Sequence, residues 1–127
     1  MRIRDLKPRM PITISGSESL LGAAKQLADE DIGALIVIGS HGITGVLSER
    51  DVVRALADGC DLRTAEVCDY MTQAPVVCEE DAAVVDAVAK MNDAGIRHVV
   101  VTTAGDVSGM ISMRDIVGVL GAVQSVR

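Results

Sequence analysis

The sequence predicts a mixed α/β fold, an α+β arrangement of two tandem β-α-β-β-α repeats packed sheet to sheet about a pseudo-twofold axis. Three observations lead there. The segment from Ile3 to Asp58 returns without a gap as Val67 to Ala122, 64 residues further along the chain. Within each copy the apolar pattern changes period in the same order, which is the sequence trace of strands and helices in a fixed succession. A length of 127 residues suits one compact module in which either half alone would be marginal. An internal duplication of this size sets the architecture, because each copy is one unit that cannot bury its apolar face alone. The repeats divide the chain into residues 1–62 and 63–127, which together make a single module.

The register is read from recurring residues: Asp5 with Asp69, Pro11 with Pro75, Ala23 with Ala87, Asp29 with Asp93, Val37 with Val101 and Leu56 with Leu120. Each copy opens with a short extended segment after proline, Pro11 to Ile14 and Pro75 to Cys78. Leu20, Ala24, Leu27 and Ala28 then fall at helical spacing, as do Val84, Val88 and Met91. Ser17 and Asp81 stand where N-caps are expected, and Asp31 and Gly95 where these helices end. The runs ALIVI and HVVV predict a second strand, and Gly39-Ser40-His41-Gly42 and Thr103-Ala104-Gly105-Asp106 predict the turn into a third. A last helix starts at Ser48 or Ser112 and carries Val52, Val53 and Leu56, or Ile116, Val117 and Leu120, along one side. Ala57 to Glu66 connects the copies, with Thr64 as cap of a short helix through Val67 and Met71. Each sheet is thus expected to have three strands, with helices on one face and the other face needing cover.

Composition narrows the chemistry. There is no Trp or Phe and only one Tyr, so the core is aliphatic, and a formal charge of -6 argues against nucleic acid or an anionic membrane as partner. Cys60, Cys68 and Cys78 are odd in number and form no C-x-x-C pair, which reads as reduced thiols in a cytoplasmic protein, with Cys78 in the core. No apolar run reaches the length of a membrane span, and the charged N-terminus lacks the apolar stretch of a signal peptide. The two histidines, His41 in a turn and His98 on a strand, have no ligand-spaced neighbour, and no metal site is expected. Neither a P-loop nor a histidine-carboxylate-nucleophile set is present, so no enzyme activity is expected.

The densest match between the copies is GVLSERDVV against GMISMRDIV, in which Ser48, Arg50 and Asp51 recur as Ser112, Arg114 and Asp115. Each triplet lies where a strand turns into a helix, with Gly45 or Gly109 three residues upstream. Ser followed three residues later by an acid resembles a capping box, in which each side chain satisfies the other's backbone N–H. The same geometry also suits a nucleotide, because a helix N-terminus attracts phosphate and a nearby carboxylate can accept both hydroxyls of a ribose. Capping accounts for Ser and Asp; it does not account for an Arg between them in both copies, which phosphate does.

Two β-α-β-β-α copies, each with a G-hydrophobic-hydrophobic-S-x-x-D signature, resemble a pair of cystathionine-beta-synthase (CBS) domains. IRDL, VCDYMT, DIGALIVI and GIRHVVV extend the likeness to nearly the whole chain. KPRM at Lys7 to Met10 departs from it, standing where the second copy has the more usual MTQA. The resemblance implies a non-catalytic regulatory module that senses AMP, ADP or ATP in clefts between the repeats and needs no other cofactor. It implies that Asp51 and Asp115 hold ribose hydroxyls, with Ser48, Ser112, Arg50 and Arg114 on the phosphate side. Val76, Ile96 and Arg97 would face the Asp51 site, and Ile12, Ile32 and Gly33 the Asp115 site. Since Arg97 answers to Gly33, the two sites are expected to differ in strength, the tighter being that of Asp51. It further implies a homodimer formed through helices. Two other readings belong to the same resemblance: a structural dimerisation module with degenerate clefts, and a binder of S-adenosylmethionine.

Overall fold

The computed structural model describes residues 1–125, with side chains through Gly121. The ends of the second expected segment, residues 126 and 127, lie outside the described residues. Element order follows the predicted repeat: β1 (Thr13–Ser15), α1 (Leu20–Glu30), β2 (Ala34–Gly39), β3 (Gly42–Ser48) and α2 (Glu49–Ala57), then α3 (Val67–Tyr70) and β4 (Thr72–Gln73), then β5 (Val77–Glu79), α4 (Val84–Ala94), β6 (His98–Thr103), β7 (Asp106–Ser112) and α5 (Met113–Ser125). The protein is mixed α/β with two sheets and two tandem β-α-β-β-α repeats.

The chain divides into two compact units, one of Ile12–Pro75 and the other of Met1–Pro11 together with the chain from Val76 onward. In the first, β1 pairs parallel with β2, and β2, β3 and β4 follow antiparallel. Leu20, Ala23 and Leu27 of α1 and Val52 and Ala55 of α2 close the core against Leu35, Val37 and Leu47. Alternation puts Ala34 and Ile36 on the opposite face of β2, and they are buried too, which is why the strand reads as an unbroken apolar run. The second unit repeats this with β5, β6 and β7, and with Ala87, Met91, Val99, Val101, Ile111 and Ile116.

The leading segment of each copy packs into the unit that holds the rest of the other copy. Ile3 and Leu6, on a 3-10 turn Ile3–Leu6, are buried with Met91 and Ile111. Val67, the counterpart of Ile3, is buried with Leu20 and Leu27. Gly45 and Gly109 make room for the returning chain: a Cβ on Gly45 would lie 2.5 Å from the Thr72 carbonyl oxygen, and one on Gly109 would lie 2.9 Å from that of Arg9.

Several local expectations are corrected. The first strands start two residues later than predicted, at Thr13 and Val77. The N-cap of α1 is Ser19, whose hydroxyl accepts the Gly22 N–H at 3.0 Å, and not Ser17, which bonds Ser15 instead. The N-cap of α4 is Ala83, and Asp81 pairs instead with Arg2 and Arg4. Distant carbonyls explain both shifts, since Ala65 accepts the Leu20 N–H and Met1 the Val84 N–H. Glu66, not Thr64, precedes α3. On α2, Val52, expected to be left uncovered with Val53, Leu56 and Val117, is buried instead, while Val53, Leu56 and Val117 are exposed as expected, with Leu120 beside them. The first sheet has four strands and not three, because β4 adds to β3. Its counterpart in the other unit is only an isolated bridge from Arg9 to Met110.

Candidate functional site

Each unit carries one copy of the Ser-x-Arg-Asp motif at a strand-to-helix turn. In the Ile12–Pro75 unit the extended Ser48 ends β3 and caps α2. The Asp51 N–H donates to the Ser48 hydroxyl at 3.3 Å, while Asp51 Oδ2 accepts the Ser48 N–H at 2.8 Å and its hydroxyl at 3.1 Å. In the other unit Asp115 Oδ2 accepts the Ser112 N–H at 3.0 Å, and the Asp115 N–H donates to the Ser112 hydroxyl at 3.0 Å. The capping reading of Ser and Asp therefore holds in both copies. It occupies one carboxylate oxygen and leaves the other.

That second oxygen is where the copies differ. Asp51 is only 7% exposed, yet its Oδ1 has no hydrogen-bond partner among the described residues. Among the described residues no fully buried side-chain polar atom is left unpaired, so this oxygen lies on the accessible side of the carboxylate. At Asp115, Oδ1 is 3.5 Å from Nε of Arg9. A carboxylate at a helix N-terminus, held by one oxygen and open at the other, can accept hydrogen bonds from a diol without any change in the cap. Arg50 and Arg114 are exposed one residue before each Asp, and neither has an ion-pair partner among the described residues.

The other predicted site residues fall into the two units by copy. Ile12, Ile32 and Gly33 lie in the unit of Asp51. Ile12 and Ile32 are half-buried against its core, and the Gly33 carbonyl accepts the Glu49 N–H at 2.9 Å. Val76, Ile96 and Arg97 lie in the unit of Asp115. Val76 and Ile96 pack on that core, and the Arg97 carbonyl accepts the Met113 N–H at 2.8 Å. The backbone of Gly33 or Arg97 thus pins the first turn of the helix that carries the Asp of its own copy. The predicted pairing of Asp51 with Arg97, and of Asp115 with Gly33, would draw on both units. His41 is exposed at the β2–β3 turn, and His98 is half-buried at the start of β6.

Sequence reasoning missed Arg9, whose only signal was the departure KPRM. It also missed a group formed by Glu66, Cys68 and Asp69, whose possible donor atoms lie within 4.8 Å of one another at the start of α3. The three cysteines are free and Cys78 is buried. Burial pushes the Cys78 thiol up, desolvation followed by Asp69 and Glu66 pushes up that of Cys68, and a hydrogen bond with the Cys60 thiol pushes up the Tyr70 phenol. No helix among the described residues is long and apolar enough to cross a membrane.

The family model of the CBS domain matches the chain twice, over residues 3–58 and 67–122, and the protein belongs to that family. An uncharacterized 17.7 kDa protein of Acidianus ambivalens is 35% identical over 96 residues, which cover 74% of this chain and 57% of that relative. The chain therefore spans little more than half of this curated relative's length. A CBS domain protein from Pyrobaculum aerophilum, solved in complex with AMP, is 28% identical with a TM-score of 0.82, the match covering 91% of this chain and 89% of that one. The CBS domain pair of a protein solved with 5′-methylthioadenosine and S-adenosyl-L-methionine is 27% identical with a TM-score of 0.83, covering 96% and 97%.

Proposed function

We propose that this protein is a non-catalytic regulatory module that binds an adenine nucleotide, AMP, ADP or ATP. Asp51 and Asp115 hold the ribose hydroxyls, and Ser48, Arg50, Ser112 and Arg114 attend the phosphates. The observation that carries this reading is Asp51: a nearly buried carboxylate, fixed through Oδ2 at the start of α2, with Oδ1 free to accept. Two exposed arginines without acidic partners among the described residues, placed at the same point of each copy, supply the anion-binding half. The relatives solved with AMP and with 5′-methylthioadenosine share an adenosine moiety, which the diol contact would recognise.

The second of those relatives gives S-adenosylmethionine as the competing ligand. Arg50 and Arg114 favour a phosphate over a sulfonium, which carries no negative charge for them to meet. Melting the purified protein with AMP, ADP, ATP, NAD or S-adenosylmethionine separates the readings, since a ligand at 100 times its Kd stabilises by about 2.7 kcal/mol. An adenine nucleotide should raise Tm, and Asp51→Ala with Asp115→Ala should remove the rise. A rise only with S-adenosylmethionine, or one that survives in the double variant, would refute the assignment. The exposed Val53, Leu56, Val117 and Leu120 suit a helical interface with a second copy of the chain.

A further inference from the structure

We propose that Arg9 is a specificity residue that makes the Asp115 site demand a phosphorylated ligand, an inference that rests on the nucleotide reading above. The two carboxylates are built alike at Oδ2 and differ at Oδ1. Asp115 Oδ1 lies 3.5 Å from Arg9 Nε, whereas Asp51 Oδ1 has no partner among the described residues. Arg9 does not arrive there on a loose tail. Its N–H donates to the Met110 carbonyl at 3.1 Å and its carbonyl accepts the Met110 N–H at 3.0 Å, beside β7 and one turn of chain before Asp115. Gly109 lets the segment come this close, since any Cβ there would meet Pro8 at 2.8 Å. In the other unit β4 takes this route, and the residue paired with Val46, the counterpart of Met110, is Thr72. The same pairing thus delivers a cation to Asp115 and, at Thr72, an uncharged residue in the unit of Asp51.

The consequence is a difference in what each carboxylate asks of a ligand. Ribose hydroxyls reaching Asp115 compete with Arg9 for Oδ1. An ion pair this exposed, with the Arg9 side chain 57% accessible, is weak and readily displaced. The displaced guanidinium then needs a new acceptor. A phosphate on the same ligand offers one, with charge-assisted and potentially bidentate bonds. A nucleoside without phosphate returns it only to water. At Asp51 no cation has to be moved, so nucleoside and nucleotide differ less.

The test uses the full chain with Asp51→Ala, which leaves the Asp115 site alone, and compares AMP with adenosine by calorimetric titration with and without Arg9→Gln. Gln removes the charge while keeping a long polar side chain, and unchanged Tm of the unliganded protein checks the fold. AMP should bind more tightly than adenosine, and Arg9→Gln should cut that preference by about tenfold, by weakening AMP while leaving adenosine as tight or tighter. Arg9→Lys should keep part of the preference. In the reciprocal chain with Asp115→Ala, Arg9→Gln should leave the ratio unchanged. An unaltered ratio at the Asp115 site, equal weakening of both ligands, or the same effect at the Asp51 site would each overturn the role of Arg9. If AMP and adenosine bind neither single-site chain nor the wild type, the nucleotide reading itself fails and this inference with it.

Discussion

Ser48 and Asp51 cap α2 and, in the proposed function, also meet the ligand, and substitution can pull the two roles apart. Ser48→Ala removes the hydroxyl that accepts the Asp51 N–H and should cost about 1 kcal/mol in urea denaturation, the usual worth of an N-cap. Asp51→Asn keeps an oxygen that can accept the Ser48 N–H but halves the accepting capacity of the side chain, so stability should fall little while nucleotide affinity falls about tenfold or more. Equal loss of stability in both variants, with ligand affinity intact, would leave Asp51 a cap only. The glycines give a sharper contrast. Gly45→Ala places a Cβ 2.5 Å from a backbone oxygen, while Gly118→Ala, on α5, meets nothing within 4 Å. The first should destabilise by roughly 1–3 kcal/mol, and the second should stabilise by up to about 1 kcal/mol in the same measurement. At Cys68, desolvation and the neighbouring acids Asp69 and Glu66 raise the thiol, so less thiolate is present at any given pH and alkylation should reach half its maximal rate above the pH of a free thiol. Asp69→Asn with Glu66→Gln should move that midpoint down.

Among the elements, helices and sheets were legible wherever the signal was local. The continuous runs became β2 and β6, the αL positions Asp31 and Gly95 ended α1 and α4, and the Ser-x-x-Asp box started α2. What stayed hidden came from residues far apart in sequence. Nothing near Ser17 or Asp81 reveals that the carbonyls of Ala65 and Met1 will take the first N–H groups of α1 and α4, which moves each cap two residues on. Ile3 and Leu6 look like any apolar pair, and only the folded chain shows them buried against Met91 and Ile111. The site was legible in the same measure: Ser48, Arg50, Asp51 and their counterparts stood out because they recur, and Arg9 did not because it breaks the recurrence. Exchange of the leading segments makes a direct prediction. Ile3→Ala and Val67→Ala each empty a fully buried position and should cost about 2–5 and 1–3 kcal/mol. Hydrogen exchange should show the loss from Ile3→Ala in α4, β6 and β7, and the loss from Val67→Ala in α1, β2 and β3. The opposite distribution would show that each segment serves its own copy.

At the scale of the molecule, Val53 and Leu56 on α2 and Val117 and Leu120 on α5 are more than half exposed, at 62, 55, 59 and 54%. A chain with so much aliphatic surface on matching helices should associate, and light scattering at micromolar concentration should give a dimer mass. Leu56→Glu with Leu120→Glu should return a folded monomer; a wild-type monomer with and without nucleotide would dispose of the interface. The exchanged segments also set an order of events during synthesis. The unit of Ile12–Pro75 has all its parts once Pro75 has left the ribosome, whereas Ile3 and Leu6 must wait for Ile116, the last buried residue of their core among the described residues. At 5–20 residues per second this leading segment stays uncovered for about 10 s. A segment made before the Ile12–Pro75 unit thus finds its shelter after it, and the residues that flank its two apolar anchors, Arg2, Arg4 and Asp5, are charged and exposed even in the folded chain.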